Sequence, residues 1–330
     1  MFAVLTVCHT RQLPQAITLG KSIQKVTPGA LFLIGLADKL PDGIAADSLP
    51  FTVIPASDLL PEAELAGLSA AYTPTEMAGA LKPLFLQTCY ERYPDRPTFV
   101  YADPNLCFFQ SLDAISDQLT DATLLLTPYL INPPADSKFP DEKHLQNIGL
   151  YNSDFLALRR SDEATRFLTW WDSRVRTRAH INFCEGLCTD QIWLMHIPAF
   201  FDGVRIIHQP TWHAGLWNLH NRQLQLHSGQ WQVNGQGPLF FANFKGLTNP
   251  DEGFFPYQNR LFVGKRPDIQ QLMTSYNQQL QVNRQPALTG IPVYGRQPEP
   301  LILRGWRKGA VDSLRKLTAF IDTMPIPVLR

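Results

Sequence analysis

The sequence predicts an α/β fold: a Rossmann-like, mostly parallel central sheet flanked by helices, with a more elaborate C-terminal half. Apolar runs of strand length alternate with amphipathic helices through the first hundred residues, which is typical of βαβ units. The first of these runs is continuous, as expected for a strand that helices cover on both faces. With 330 residues and 45% hydrophobic residues, the chain also has enough apolar surface for a large core.

The first half supplies this alternation element by element. Phe2–Cys8 is a continuous apolar run and predicts the first strand. Leu13–Val26 predicts a helix, because its apolar residues recur at spacings of three and four along one stripe. Three further strands and a second amphipathic helix are expected at residues 30–37, 51–54, 98–102 and 75–93, respectively.

The second half has a different rhythm. Strands at residues 122–128 and 149–158 precede a helix for which Ser161 is the expected N-cap. Another helix is predicted from Thr189 to the residue before Pro198. It would place Asp190 in a first turn, where the helix dipole favours a negative charge.

Short strands and loops rich in His, Trp and Asn follow, and a last helix is expected near residues 311–321. No linker of distinct composition interrupts the first 285 residues. We therefore expect one compact unit over residues 1–285 and a C-terminal extension over residues 286–330.

Charge and cysteine content narrow the class of protein. Lys and Arg together number 29, as do Asp and Glu, so the formal net charge is zero. Binding of nucleic acid through a broad basic surface needs a cationic surplus, so no nucleic-acid partner is expected. Five cysteines cannot all pair, and no apolar run approaches the length of a membrane span. These features favour a cytoplasmic protein in a reducing compartment.

An acidic residue stands where a predicted strand ends. Asp103-Pro104-Asn105 follows the apolar run at residues 98–102, and the carboxyl ends of parallel strands form the usual ligand crevice of an open α/β sheet. Pro104 restricts the backbone, which lets Asp103 and Asn105 present oxygen atoms to one point. Such oxygens suit Mg²⁺ or Mn²⁺ bridging to phosphates. An ordinary Asp-Pro-Asn turn is the alternative interpretation.

Several further segments share one order along the chain with this motif. They are Ala80-Leu81-Lys82-Pro83, Tyr101–Asn105, Asn147–Asn152, Thr189-Asp190-Gln191, Trp217-Asn218-Leu219 and Phe241–Gly246. Their order and spacing resemble bacterial glycosyltransferases of the GT-A fold, in the nucleotide-diphospho-sugar transferase superfamily, and are similar to its glycogenin and galactosyltransferase-like members. The resemblance covers roughly residues 1–250.

The resemblance implies a nucleotide-binding half over residues 1–106 and a sugar and acceptor half over residues 107–285. Donor-binding residues implied by it border the nucleotide, approach the diphosphate or hold the sugar. They are Thr6, Cys8, Thr10, Lys82, Asp103, Asn105, Asn147, Asn152 and Lys245.

Two departures from the family pattern weaken the expected divalent-cation site. The second acid of the metal motif is Asn105, and the later His is Asn243, so Asp103 would be a poor anchor for Mn²⁺ or Mg²⁺. Lys245 stands where the resemblance leads one to expect a small residue. Our hypothesis is that Lys245, together with Lys82, partly replaces the cation in neutralising the diphosphate. A solvated loop lysine is the alternative.

For catalysis the resemblance points first to Asp190 and Gln191, beside the transferred sugar. An ionised Asp190 would steady the positive charge that develops on the anomeric carbon or orient the acceptor, and Gln191 would bind sugar hydroxyls. An inverting transfer would need a general base, and Glu185 is a second candidate for that role. A structural helix cap is the alternative role for Asp190. A polar and aromatic cluster predicts an acceptor or sugar wall, or else an ordinary aromatic core: Trp212, His213, Trp217 and Asn218.

These residues lead us to expect a glycosyltransferase, of a hexosyltransferase-like kind. It would move a sugar from a nucleotide-diphosphate donor to a glycan or lipid-linked acceptor in a bacterium. The alternative, motivated by Asn105 and Asn243, is a catalytically lapsed nucleotide-sugar or glycan-binding protein on the same fold. The basic stretch Arg304–Lys316 suggests peripheral contact with the inner membrane face, although a solvated helix packed on the body is the other interpretation.

Overall fold

The computed structural model describes residues 1–41, 43–285, 288 and 290–324. These residues form two compact units, Met1–Pro298 and Glu299–Arg330. The extension predicted from the sequence begins at Pro286, which lies outside the described residues, so that boundary stays a prediction. None of the described helices has the length and apolar character needed to span a bilayer.

The strands of the first unit are, in chain order, β1 (Phe2–Cys8), β2 (Leu31–Leu36), β3 (Thr52–Pro55), β4 (Thr98–Ala102), β5 (Leu106–Phe108), β6 (Leu124–Pro128), β7 (Tyr151–Arg159), β8 (Ile181–Asn182), β9 (Leu187–Cys188), β10 (Val204–Ile206), β11 (Leu224–His227), β12 (Gln230–Val233), β13 (Gly237–Pro238) and β14 (Phe241–Asn243). The α-helices are α1 (Leu13–Val26), α2 (Glu62–Ala71), α3 (Pro74–Arg92), α4 (Asp113–Gln118), α5 (Glu142–Ile148), α6 (Asp162–Arg178), α7 (Ile197–Phe200), α8 (Pro267–Asn283) and, in the second unit, α9 (Gly305–Thr323).

Seven strands form the central sheet in the order β10-β6-β7-β4-β1-β2-β3. All neighbours pair in parallel except β7, which runs antiparallel to both β4 and β6. The prediction of a mostly parallel α/β sheet is therefore confirmed. Because β7 is reversed, its first residues lie at the edge of the sheet where β4 and β1 end. The ligand crevice is predicted at this same edge.

Apolar side chains cover both faces of this sheet. One buried cluster packs α3 and α6 against one face and includes Phe85 and Trp171. A second packs α1 against the other face and includes Leu19 and Ile23. Burial on both faces explains why β1 is apolar at every position except Thr6.

A third cluster lies under the short strands of the second half. It contains Tyr276 of α8, which stacks on Phe244 with ring centroids 3.8 Å apart. Next to this stack, β14 pairs antiparallel with β5, so that Asn243 lies opposite Leu106. This pairing brings the segment after β14 beside the residues that follow Asp103.

The sequence prediction was wrong for the helix expected from Thr189. Thr189 adopts a left-handed backbone with φ 48°, and a five-residue 3₁₀ helix begins only at Ile192. The α-helix that follows, α7, contains Pro198 in its first turn, where a missing N–H costs nothing. Asp190 therefore does not lie in the first turn of an α-helix.

Candidate active site

The site is built on the turn that follows β4. The Oδ1 atom of Asp103 accepts hydrogen bonds from the backbone N–H of Asn105, at 2.9 Å, and from its side-chain amide, at 3.1 Å. The backbone N–H of Asp103 donates to the carbonyl of Asp154 in β7, at 2.8 Å. Asp103, Asn105 and Asp154 are all buried. The turn thus places one carboxylate on each of two neighbouring strands.

Lys245 joins these two carboxylates. Its Nζ lies 2.8 Å from Oδ2 of Asp103 and 2.6 Å from Oδ1 of Asp154. The other oxygen of Asp154 accepts from the side-chain amide of Asn243, at 2.7 Å. Three segments that are distant in sequence, after β4, in β7 and after β14, therefore meet in one ion triad of Asp103, Asp154 and Lys245.

A second buried ion pair lies beside the triad. Nζ of Lys82, in α3, is 2.9 Å from Oδ2 of Asp190 and 3.1 Å from Oγ of Ser153. Ser153 precedes Asp154 in β7, so the pair and the triad share one strand. Gly79, one turn before Lys82, makes room for Asp190: a Cβ there would stand 2.7 Å from Oδ1 of Asp190.

Burial and neighbouring charges set the pKa values of the triad. Burial, and next to it the charge of Asp154, raises the pKa of Asp103. Burial acts in the same direction on Asp154, but Lys245 and Lys82 outweigh it and hold the pKa of Asp154 well below its usual range. Burial would lower the pKa of Lys245, yet the two carboxylates raise it above its usual value. Lys245 and Asp154 thus remain charged, and Asp103 is the member that takes up a proton most readily.

The donor atoms present do not fit a divalent cation. All four oxygens of Asp103 and Asp154 already accept from N–H groups of Lys245, Asn105 and Asn243. Asn105 and Asn243 direct their amide nitrogens, not their oxygens, at these carboxylates. Among the described residues, no group of three or more His, Cys, Asp or Glu side chains is placed to hold a metal ion.

The side chain of Gln191, next to Asp190, connects the end of α5, the residue after β6 and the start of β7. Oε1 of Gln191 accepts from the hydroxyl of Tyr129, at 2.8 Å, and from the backbone N–H of Ser153, at 3.2 Å. Its Nε2 donates to the carbonyl of Ile148, at 2.6 Å. Oδ1 of Asn152 accepts from the N–H of Asp154, at 2.7 Å. Gln191 therefore lies against β7, the strand that contains both Asn152 and Asp154.

A buried histidine stands behind the triad. Nδ1 of His213 lies 2.6 Å from the hydroxyl oxygen of Thr127, and its Nε2 lies 3.4 Å from the amide nitrogen of Asn243. Burial lowers the pKa of His213 to about 3, so the ring is neutral at physiological pH. The amide nitrogen of Asn243 has two N–H groups, and one of them bonds Asp154. A neutral ring leaves Nε2 of His213 able to accept from the other.

Several polar atoms near these groups are buried without a hydrogen-bond partner among the described residues, and they include Oγ1 of Thr6, the hydroxyl of Tyr101 and Nδ2 of Asn152. Tyr101 lies opposite Leu5, next to Thr6, and Nζ of Lys82 stands 4.7 Å from the centre of its ring. Buried polar atoms normally have partners. These atoms point to water or ligand atoms at the edge where β1, β4 and β7 meet.

The predicted nucleotide border lies at the end of β1. Burial, and next to it the charge of Asp103, raises the pKa of Cys8 well above its usual value. Thr10 contacts Asp38 after β2 through both its N–H and its hydroxyl. A segment from the end of the first unit covers this corner, because Val293 N–H donates to Asp38, at 2.8 Å. Thr10 and Asp38 are thus already occupied by protein groups.

The remaining predicted residues fall into two groups. Glu185 and Asn147 are exposed, and no described contact joins their side chains to the triad. The members of the predicted wall, by contrast, are buried among other aromatic side chains. Trp212 packs on Phe240 with ring centroids 4.2 Å apart. All four members of this wall are buried, and their role in binding stays a prediction: Trp212, His213, Trp217 and Asn218.

Sequence reasoning missed Asp154 and Ser153. A signal was available, since the run Asn152-Ser153-Asp154 opens a strand that is otherwise apolar up to Leu158. A buried Asp in a central strand requires a partner. What the sequence did not provide was the direction of β7, which decides at which edge of the sheet these polar residues lie.

Comparisons with known proteins give the following. No family model matches the chain. YfnF of Bacillus subtilis (strain 168), an uncharacterized protein, is 26% identical over 246 residues, which cover 74% of this chain and 81% of YfnF. Among solved structures, the galactosyltransferase LgtC in complex with donor and acceptor sugar analogs is similar, with 14% identity, a TM-score of 0.44 and coverage of 88% of this chain and 98% of LgtC. Mouse xyloside xylosyltransferase 1 is similar with 11% identity, a TM-score of 0.39 and coverage of 73% and 96%, respectively.

Proposed function

We propose that this protein is a GT-A glycosyltransferase that moves a sugar, of the hexose class, from a nucleotide-diphosphate donor to a glycan or lipid-linked acceptor. The observation that supports it most is the meeting of two lysines with three carboxylates at the carboxyl edge of the parallel sheet. Ligands of open α/β sheets bind at this edge. The motif resemblance and the partnerless polar atoms of Thr6, Tyr101 and Asn152 support the same location.

In this proposal, the ammonium groups of Lys245 and Lys82 face the diphosphate and offset the charge that grows on it as the leaving group departs. Asp190, Gln191 and Asn152 are the sugar-binding groups. The carboxylate of Asp190, fixed by Lys82 at 2.9 Å, stabilises the positive charge that develops at the anomeric carbon. Thr6, Cys8 and Thr10 border the nucleotide.

The experiment is a thermal-shift screen over UDP-, GDP-, dTDP- and CMP-sugars, followed by an assay of free nucleotide release with the best donor and acceptor extracts. We expect one donor class to raise the melting temperature. Asp190→Asn should lower the rate of release about 10²–10³-fold. Asp117→Asn, on the exposed face of α4, is the matched control and should release nucleotide at the wild-type rate. No shift with any donor would contradict the proposal.

A lapsed nucleotide-sugar-binding protein is the second candidate. It is favoured by the protein donors that already occupy every oxygen of Asp103 and Asp154. The two candidates differ in turnover, because both bind a donor. A melting-temperature shift without nucleotide release, in wild type and Asp190→Asn alike, would favour the lapsed protein.

We further propose that α9 lies on an anionic membrane surface, where a lipid-linked acceptor would be found. Trp306, Ala310, Leu314, Leu317 and Ile321 recur at helical spacing and form one apolar stripe. None of the residues of α9, all of them described, is buried, and Trp306 is 80% exposed. Arg307 and Lys316 flank the stripe on its two sides, an arrangement that suits apolar insertion between anionic headgroups.

Flotation with phosphatidylcholine vesicles, with or without phosphatidylglycerol, tests this membrane contact. We expect wild type to float only with the anionic vesicles and to be released by high salt, which screens the charges. Leu317→Glu should abolish flotation. Ala319→Glu places the same charge on the opposite, polar face of α9 and should still float. Wild-type protein that stays in the dense fraction with anionic vesicles would contradict the proposal.

A further inference from the structure

We propose that Lys245 is the resident cation of this site: its ammonium stands where Asp103 and Asp154 would otherwise hold a divalent ion, and removal of Lys245 creates a divalent-metal site. The inference deepens the proposed function and rests on it only where it concerns the diphosphate. It predicts that the wild-type protein binds its donor without a divalent metal.

The geometry around Nζ is the first support. One nitrogen bonds an oxygen from each carboxylate, at 2.8 and 2.6 Å, so both carboxylates face a single point. Two carboxylates that converge on a point are an oxygen donor set for Mg²⁺ or Mn²⁺ when no ammonium is present. With Lys245 there, a dication would have to displace a charge that is already paired twice.

The backbone holds Lys245 in this position. The N–H of Lys245 donates to Oδ1 of Asn243, at 2.9 Å, and the N–H of Phe244 donates to the carbonyl of Asn105, also at 2.9 Å. The methylene stem of Lys245 lies along Gly253, where a Cβ would stand 3.3 Å from its Cγ. Gly253 has φ 80°, a conformation that favours glycine. The lysine is therefore built into the fold and is not a loop side chain free in solvent.

Charge balance is the second support. The Asp103 and Asp154 side chains are 9% and 8% exposed, so two neighbouring negative charges without compensation would be costly. Lys245 supplies that compensation in the wild type. A neutral side chain of similar length would leave both carboxylates with Lys82 alone, which is already paired with Asp190, and a divalent ion from solution would then be the strongest available replacement.

The test measures the binding of Mn²⁺ in the absence of any donor. Binding is detected as the loss of the EPR signal of free Mn²⁺ when protein is added. We expect no binding by wild type at micromolar Mn²⁺, and binding by Lys245→Met with an affinity at least tenfold higher. Lys143→Met removes an exposed lysine on α5 and should behave as wild type. Adding Asp154→Asn to Lys245→Met should abolish the gain, which assigns the ion to this pair.

Either of two results would overturn the inference: binding of micromolar Mn²⁺ by the wild type, or a folded Lys245→Met protein that gains no affinity. If Lys245→Met does not fold by circular dichroism, Lys245→Gln replaces it, and binding of micromolar Mn²⁺ by the wild type overturns the inference whether or not a variant folds. No sugar donor enters this experiment. Its failure therefore leaves the glycosyltransferase proposal standing, whereas failure of the donor screen leaves the Mn²⁺ result intact.

Discussion

At the scale of single residues, the site consists of buried charges that compensate one another. Lys82 and Asp190 have side chains only 8% and 3% exposed, so each charge is compensated mainly by the other and hardly by bulk water. A buried pair of this kind adds little net stability compared with apolar groups of the same volume. Removing one partner is different, because the remaining charge then stays in the interior without compensation.

This asymmetry predicts the outcome of Lys82→Met. The free energy of unfolding should fall by roughly 3–5 kcal/mol, because Asp190 is left as an unpaired buried charge. In Lys82→Met/Asp190→Asn the charge is absent, so the loss should be clearly smaller than the sum of the two single losses. Urea unfolding of the four proteins measures the coupling.

The matched control is Arg205→Met, which breaks the more exposed pair of Arg205 with Asp121. It should cost less than about 1 kcal/mol, since an exposed pair gains little in water. Additive losses in the Lys82 and Asp190 series would mean that the two side chains do not depend on each other, contrary to their geometry.

Most of the charged residues of the site could be predicted from the sequence. Sequence reasoning named Asp103, Lys245, Lys82 and Asp190, and the structure brings all four to one edge of the sheet. It did not name Asp154, which links them. The reason is physical: partners of a buried charge come from segments distant in sequence, and nothing local to Asp154 indicates which lysine it meets.

At the scale of elements, prediction succeeded where a segment has one dominant pattern. β1 and α1 have the predicted bounds, because β1 is apolar except at Thr6 and α1 has a regular apolar stripe. Ser161 caps α6 as expected and accepts from the N–H of Ala164, at 3.1 Å. α5 and α8 were not predicted, since both are rich in polar residues and bury only part of one face.

The prediction of a helix around Asp190 was wrong for another reason. Acidic and polar residues before an apolar run predict an α-helix start, and locally that pattern is present at Thr189. Tertiary contacts override it: Trp171 donates its indole N–H to the carbonyl of Asp190, at 3.0 Å, and Lys82 holds the carboxylate. The segment therefore turns where propensity alone would continue as a helix.

At the scale of the whole molecule, the buried site couples folding to pH through His213. Its ring is 2% exposed and faces Asp154, Arg222 and Lys245 together with the uncharged Thr127, Asn243 and Trp217. Burial, the largest influence, lowers the pKa of the folded state to about 3, whereas Asp154 alone would raise it. An unfolded histidine has a pKa of about 6.5. The unfolded chain therefore binds one more proton than the folded chain between these two values.

The lowered pKa of His213 makes the folded protein less stable in acid. The contribution of a neutral buried His213 is complete above about pH 6.5 and is lost as the pH falls toward 3, so acid favours unfolding. Between about pH 7 and pH 5, His213 alone should lower the free energy of unfolding by about 2 kcal/mol. His213→Gln should remove this part of the pH dependence, whatever its effect on stability at pH 7, while His227→Gln on the exposed strand β11 should retain it. Urea unfolding of the three proteins at both pH values measures the difference, and equal slopes for wild type and His213→Gln would show that the ring is not held neutral by the fold.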